Sequence, residues 1–268
     1  MKVFQDRTAA SDAASGMQFR RMTRPEILYW YEVLLPEGFA PHEIKPWADV
    51  ERLLAEDRYE IWGLFASGTG AGEDAPAGSC GASSDSPGGA TPAGSCGVSS
   101  DSPGGDAQDN AAGADDPAKA AECACDPLPI GFACLWKRAG IPLVLLDYLG
   151  VAARLRGGGL GARMLSQLKA QGRPMVLESE KPLPGGDEAE NALRLRRIAF
   201  YERCGFAPAY EMATCGMRWQ AMLAGAEVYE LKDIMRWHRQ LYDEKRTDVQ
   251  VPLGPDETPA PPYWMEHR

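Results

Sequence analysis

Apolar positions along the chain recur with two different spacings, and the alternation between them lays out an order of strands and helices. Residues 17–22 (MQFRRM) alternate like a half-buried strand, and Pro25 then stands where a helix can begin. Ile27, Leu28, Tyr29, Trp30, Tyr31, Val33, Leu34 and Leu35 give that helix more apolar surface than one face needs. A second short helix is predicted over Trp47–Ala55, where Trp47, Val50, Leu53 and Leu54 fall at helical spacing. Two runs rich in β-formers, 59–65 and 129–136, read as the arms of one hairpin. Residues 142–151 (PLVLLDYLGV) form a nearly continuous apolar run broken by one acid, Asp147, as expected of a strand buried on both faces.

A glycine-rich turn follows, then an amphipathic helix with Leu160, Met164, Leu165 and Leu168 on one side, then an apolar strand over 174–180. Strand, helix and strand in that order imply a parallel pair joined by a crossover. Beyond lie a helix over 190–203 stopped by Gly205, two strands within 206–223, and a last helix whose face carries Val228, Leu231, Ile234, Met235, His238, Leu241 and Tyr242. That stripe suits either core closure or a dimer face. The fold class is therefore α/β.

Between the hairpin arms, 67–128 is dominated by Gly, Ala, Ser, Pro and Asp, and has too few apolar side chains to offset its ordering entropy. Within it, 76–89 returns as 92–105 with one change, Ala82 against Val98. Stacked repeats need faces to bury, so this reads as a tandem expansion in a disordered low-complexity insertion. Long insertions in a loop add little closure entropy. The expected organisation is a flexible extension (1–16), a single domain (17–251) interrupted at 67–128, and a proline-rich tail (252–268).

The formal charge of −10 changes meaning once it is located, because the insertion holds ten acids against Lys119 and the remainder carries only −1. A near-neutral domain without a basic stripe gives no footing for nucleic acid. Nothing approaches the roughly 18 apolar residues of a membrane span, and the N-terminus shows no signal-peptide pattern, so a cytoplasmic protein with unpaired cysteines is expected. Cys123 and Cys125 tempt a metal reading, but His42, His238 and His267 are scattered, and no metal site is expected. His42 reads as a surface residue, and Trp30, Tyr31 and Trp47 as core or pocket wall.

The turn itself, Arg156, Gly157, Gly158, Gly159, Leu160 and Gly161, follows a buried strand and opens a helix. Bare glycine backbone, successive N–H groups and a helix N-terminus favour a bound phosphate, and Arg156 adds a full charge. Gly157, Gly159 and Ala162 also satisfy the dinucleotide pattern of a Rossmann-type nucleotide-cofactor enzyme, with Glu178 and Glu180 near the place of a ribose acid. Five residues, Ala152 to Arg156, separate these glycines from the strand's last apolar residue, which argues against that reading.

Residues 146–165 (LDYLGVAARLRGGGLGARML) resemble the acetyl-CoA signature of the GNAT superfamily of N-acetyltransferases, R/Q-x-x-G-x-G/A after a strand, matched at Arg156, Gly159 and Gly161. Residues 197–206 (RIAFYERCGF) resemble the second signature, an aromatic-Tyr pair in a helix ending before Gly-Phe. The likeness runs from about residue 17 to 223 with the insertion set aside. Pro36-Glu37, Glu43, Lys45-Pro46, 177–180 and Arg196-Arg197-Ile198 are similar to a poorly characterised bacterial branch; Arg194 stands where many relatives carry Asn.

The resemblance implies a mixed, centrally splayed β-sheet flanked by helices and an acyltransferase that moves an acetyl group from acetyl-CoA directly to a primary amine, on a small molecule or a protein. It further implies that Leu149 and Val151 offer backbone to the cofactor, with the Val151 N–H at the thioester carbonyl, beside Arg156, Gly157, Gly158, Gly159, Leu160 and Gly161. Tyr201 becomes the acid for the departing thiolate. For the base, strand alternation puts Asp147 on one face with Leu149 and Val151, and Glu178 with Glu180 on the adjoining strand, so Glu178 and Asp147 are the candidates. A non-catalytic CoA-binding module of the same fold is the remaining alternative.

Overall fold

The computed structural model describes residues 16–66 and 128–265. The N-terminal extension, the insertion with its repeat and four cysteines, His267, and the side chain of His42 lie outside the described residues, apart from Gly16 and Leu128 at the margins. Seven strands form one sheet: β1 (Met17–Arg21), β2 (Tyr59–Ala66), β3 (Pro129–Trp136), β4 (Val144–Val151), β5 (Met175–Glu180), β6 (Ala207–Thr214) and β7 (Met217–Ala224), in the order β1-β2-β3-β4-β5-β7-β6. Every pairing is antiparallel except β4–β5. The two arms flanking the insertion do pair, as expected. A sheet with one parallel pair lacks the doubly wound parallel core that a dinucleotide fold requires.

The helices are α1 (Arg24–Tyr29), α2 (Trp47–Ala55), α3 (Leu160–Lys169), α4 (Glu188–Arg203) and α5 (Leu231–Leu241). They cover two cores, one on each face of the sheet. One face packs α1, α2 and α5 through Trp30, Leu35, Leu53, Ile234 and Leu241; the other packs α3 and α4 through Met164, Leu165, Leu168 and Tyr201. The surplus of apolar residues in the first helix is absorbed by a wider π-helical turn, Trp30–Leu34, after which Trp30, Leu34 and Leu35 are all buried. The last helix starts later than its apolar stripe suggests, since Val228 and Leu231 are exposed and only the stripe from Ile234 onward reaches the core. The described part of the tail stays largely irregular but docks on the edge strand β6, where the Leu253 N–H donates to Glu211 O, and Arg218 of β7 donates to the carbonyls of Gly254, Pro255 and Glu257.

The expectation of unpaired cysteines rested on an inferred compartment and not on geometry; Cys215 is disulfide-bonded, while Cys134 and Cys204 are free. Among the described residues no helix is long and apolar enough to cross a membrane.

At the start of α1, the Thr23 N–H donates to Glu26 Oε2 at 2.6 Å and Arg20 forks onto both Glu26 oxygens at 2.6 and 2.8 Å. The Arg20 guanidinium, helped by Thr23 and opposed by burial, holds the Glu26 carboxyl at about 2 against an ordinary 4.5. A folded-state value below the unfolded one stabilises the protein above the unfolded value, and this is lost as pH falls from the ordinary carboxylate range through the depressed one. Glu26→Gln should therefore destabilise by on the order of 2 kcal/mol near neutral pH and by little near the folded-state value, read by urea denaturation at both.

Candidate functional site

Two features of β4 make the site. The first is a bulge. Cys134 lies opposite Tyr148 and Leu135 opposite Leu146, so Asp147 is the extra residue on β4. One inserted residue reverses the alternation beyond it. Asp147 therefore points to the face of Tyr59 and Lys45, opposite to Leu149 and Val151, which corrects the expectation that the three share a face.

The second is a splay. β4 and β5 pair only at Val144–Met175 and Leu145–Val176, then separate. The Ala152 N–H donates to Ile130 O, which fixes the phase of the β3–β4 ladder. Val151 opposite Gly131 and Leu149 opposite Ala133 are then the non-bonded positions, and they turn their N–H groups toward the gap where no strand meets them.

Over this gap lies a cleft of about 550 Å³, bounded by the end of β4, the glycine turn and one face of α4. It brings together Leu149, Val151, Arg156, Gly157, Gly159, Leu160, Gly161 and Tyr201 from the sequence expectations; Gly158 is not in its wall. Gly157 and Gly159 have φ of +84° and +75°, a left-handed conformation that glycine adopts without strain. The turn thereby aims the first N–H groups of α3, which have no acceptor within the helix, at the cleft. A Cβ on Gly161 would stand 3.3 Å from Phe200 Cζ, so the small residue also lets α3 and α4 approach.

From α4, Leu193, Arg196, Arg197, Phe200, Tyr201 and Arg203 face the cleft. With Arg156 that makes four arginines and no carboxylate among the described residues of its wall, the electrostatics of a polyanion site. Arg156 also clamps the backbone, its Nε donating to Val151 O at 3.1 Å and Nη2 to Glu37 O at 2.9 Å. Arg197 and Arg194 both reach Glu180 Oε2, at 3.2 and 3.4 Å, across the mouth of the splay. The sequence reading noted Arg196 and Arg197 only as part of the resemblance and did not place them or Arg203 at the cofactor, although their spacing around Tyr201 on one helix was the available signal.

Tyr201 is 8 % exposed, packed edge-on against Phe200 and Phe206, and burial pushes its hydroxyl up to about 12 despite the opposing charge of Arg197. The two expected bases lie outside the cleft wall, fully buried at the apex of the splay. Lys45 Nζ holds both oxygens of Asp147 at 2.9 Å, under the rings of Trp136 and Tyr148, and Tyr59 donates to Oδ2. Burial raises the Asp147 carboxyl above its usual range, with Lys45 opposing. Glu178 Oε1 accepts from Tyr242 at 2.6 Å and lies 3.0 Å from His238 Nε2. Among the described residues no group of three or more His, Cys, Asp or Glu side chains could hold a metal ion.

No family model matches the chain, and no curated protein does. Among solved structures it is similar to a protein from Bacteroides thetaiotaomicron assigned to the GNAT family of acetyltransferases (20 % identity, 85 % of this chain and 98 % of that one, TM-score 0.49). A second GNAT-assigned protein, from Desulfovibrio desulfuricans, is 18 % identical over 78 % of this chain and 98 % of that one, with a TM-score of 0.40. An aminoglycoside 6′-N-acetyltransferase complexed with coenzyme A is 13 % identical over 77 % of this chain and 96 % of that one, with a TM-score of 0.38.

Proposed function

We propose that the protein is an acetyl-CoA-dependent N-acetyltransferase of the GNAT type, acting on a primary amine by direct transfer. The observation that carries this reading is the cleft, where an arginine-lined, carboxylate-free wall and a glycine turn adjoin unpaired strand N–H groups and a protonated tyrosine. The parts suit a long polyanionic thioester. The turn residues 157–161, with Arg156, Arg196 and Arg203, would hold its phosphates, and the free edge of Leu149 and Val151 would hold its amide arm.

Acetyl-CoA supplies an activated acyl thioester. The Val151 N–H, fixed before the reaction by the β3–β4 ladder, donates to the carbonyl oxygen as negative charge develops there. The Tyr201 hydroxyl gives its proton to the leaving sulfur; with its pKa raised it stays protonated throughout the neutral range. Of the two carboxylates at the apex, Asp147 is engaged at both oxygens by Lys45, whereas Glu178 Oε2 has no hydrogen-bond partner. Glu178 is therefore assigned the proton of the acceptor ammonium, and Asp147 a positioning role at the bulge.

Gly159→Glu places a charged side chain in the cradle on a backbone at φ +75° that favours glycine. Calorimetric titration of acetyl-CoA should show micromolar binding to the wild type and loss of at least about a hundredfold in the variant, from like-charge repulsion against the phosphates and backbone strain. Equal binding by both proteins would remove the cradle from the account, and binding of NADH in place of acetyl-CoA would overturn it.

A further inference from the structure

Glu178 is met by two side chains, and through one of them by a third, that the reaction outlined above leaves unused. Tyr242 donates its only proton to Oε1, His238 Nε2 lies 3.0 Å from the same oxygen, and the Tyr210 hydroxyl lies 2.8 Å from His238 Nδ1. The side chains of Glu178 and His238 are completely inaccessible, and Oε2 alone has no partner. An acceptor oxygen that already takes the Tyr242 proton needs an N–H from His238 and not a lone pair. The proton therefore sits on Nε2, and Nδ1 is left to accept from the Tyr210 hydroxyl, so both neighbours fix one tautomer. A carboxylate kept only for packing would be poorly served by a bare buried oxygen.

We propose that His238 is a positioning residue for proton transfer: with Tyr242 it saturates Oε1, Tyr210 locks its tautomer, and Oε2 is left as the single basic atom of the site. This rests on the acetyl-transfer reading and specifies how its proton acceptor is set. In the step itself an N–H bond of the acceptor ammonium breaks, its electron pair stays on nitrogen, and an O–H bond forms at Oε2, the proton being relayed through water because the Glu178 side chain is inaccessible from the cleft; no further reactant is consumed. The charged and titratable groups around the dyad are Asp147 from β4 with Lys45 upon it, Tyr210 from β6, and Tyr242 and Arg246 after α5. None of them supplies a donor to Oε2.

The test compares wild type, His238→Phe and His238→Gln, the last of which keeps an N–H near the Nε2 position. Steady-state rates with acetyl-CoA and a primary amine are measured across pH. His238→Phe should lower kcat about a hundredfold, the usual scale of acid–base effects, with KM for acetyl-CoA unchanged. Its acid limb of kcat/KM should move to higher pH, because the ionised carboxylate has lost a donor, and Gln should restore most of the rate and the limb. A rate loss without movement of the limb, a Gln variant as poor as Phe, or a loss under about twofold would each overturn the proposal. Should His238→Phe not fold, Tyr210→Phe must move the limb in the same direction and release the Nε2-protonated tautomer seen by imidazole nitrogen resonance. That resonance is read without turnover: a wild type with the Nδ1–H tautomer overturns the assignment, whereas a wild type with the expected tautomer but no amine-dependent turnover sinks the acetyl-transfer reading instead.

Discussion

Replacing Tyr201 by phenylalanine is expected to lower kcat by about 10²- to 10⁴-fold while leaving acetyl-CoA affinity within about threefold. The ring is held between Phe200 and Phe206 on a regular helix, so removing one oxygen leaves packing and cleft shape in place. What is lost is a proton donor that burial keeps protonated, its pKa standing at about 12. A departing thiolate of ordinary basicity lies several units below that, so the hydroxyl's value is proximity and a proton delivered as the sulfur charge develops, not acidity of its own. The loss should therefore be the same at every pH from about 6 to 10, because the group does not titrate there. Stopped-flow or steady-state assays with the variant decide it. A variant that retains more than about a tenth of the wild-type kcat would assign the proton to solvent.

The largest effect on stability is expected from Lys45→Met. Lys45 and Asp147 are both buried and meet through two contacts of 2.9 Å, and methionine fills the same volume without the charge. Asp147 is then left ionised in a core with only Tyr59 as donor, an arrangement that costs about 3–5 kcal/mol when a buried pair loses one member. The pH dependence has a definite sign. Burial already raises the Asp147 carboxyl in the folded state, and loss of Lys45 removes its main opposing influence. A folded-state value above the unfolded one makes the variant relatively better folded below the unfolded value and progressively worse as pH rises through the folded one. The deficit against wild type should thus be greatest at neutral pH and shrink in acid, and Asp147→Asn on the Lys45→Met background should restore part of it. Urea denaturation of the three proteins at two pH values measures this, and a deficit under about 1 kcal/mol at neutral pH would mean that the pair is solvated.

Much of the architecture was written locally. The runs rich in β-formers at 59–65 and 129–136 identified a hairpin across the insertion because each arm carries its own composition, whatever separates them. The glycine turn was legible for the same reason: residue types and order at 156–161 fix an unusual backbone by themselves. The face of Asp147 was not, because the bulge is a property of how β4 meets β3 and leaves no mark in the β4 sequence. The partners of the two carboxylates were equally hidden. Lys45 lies 102 residues from Asp147 and His238 lies 60 from Glu178, contacts that only the closed sheet creates. His238 looked like one more position on the buried stripe of a helix, which it is, and periodicity cannot distinguish a histidine that packs from one that orients a carboxylate.

The most direct test of the central claim is release of free CoA from acetyl-CoA by the wild-type protein, with and without a panel of primary amines, followed by mass spectrometry of the amine. The account predicts amine-dependent release matched mole for mole by acetylated amine. Tight acetyl-CoA binding with no acetylated product from any small or peptide amine would contradict it and leave a binding module in its place.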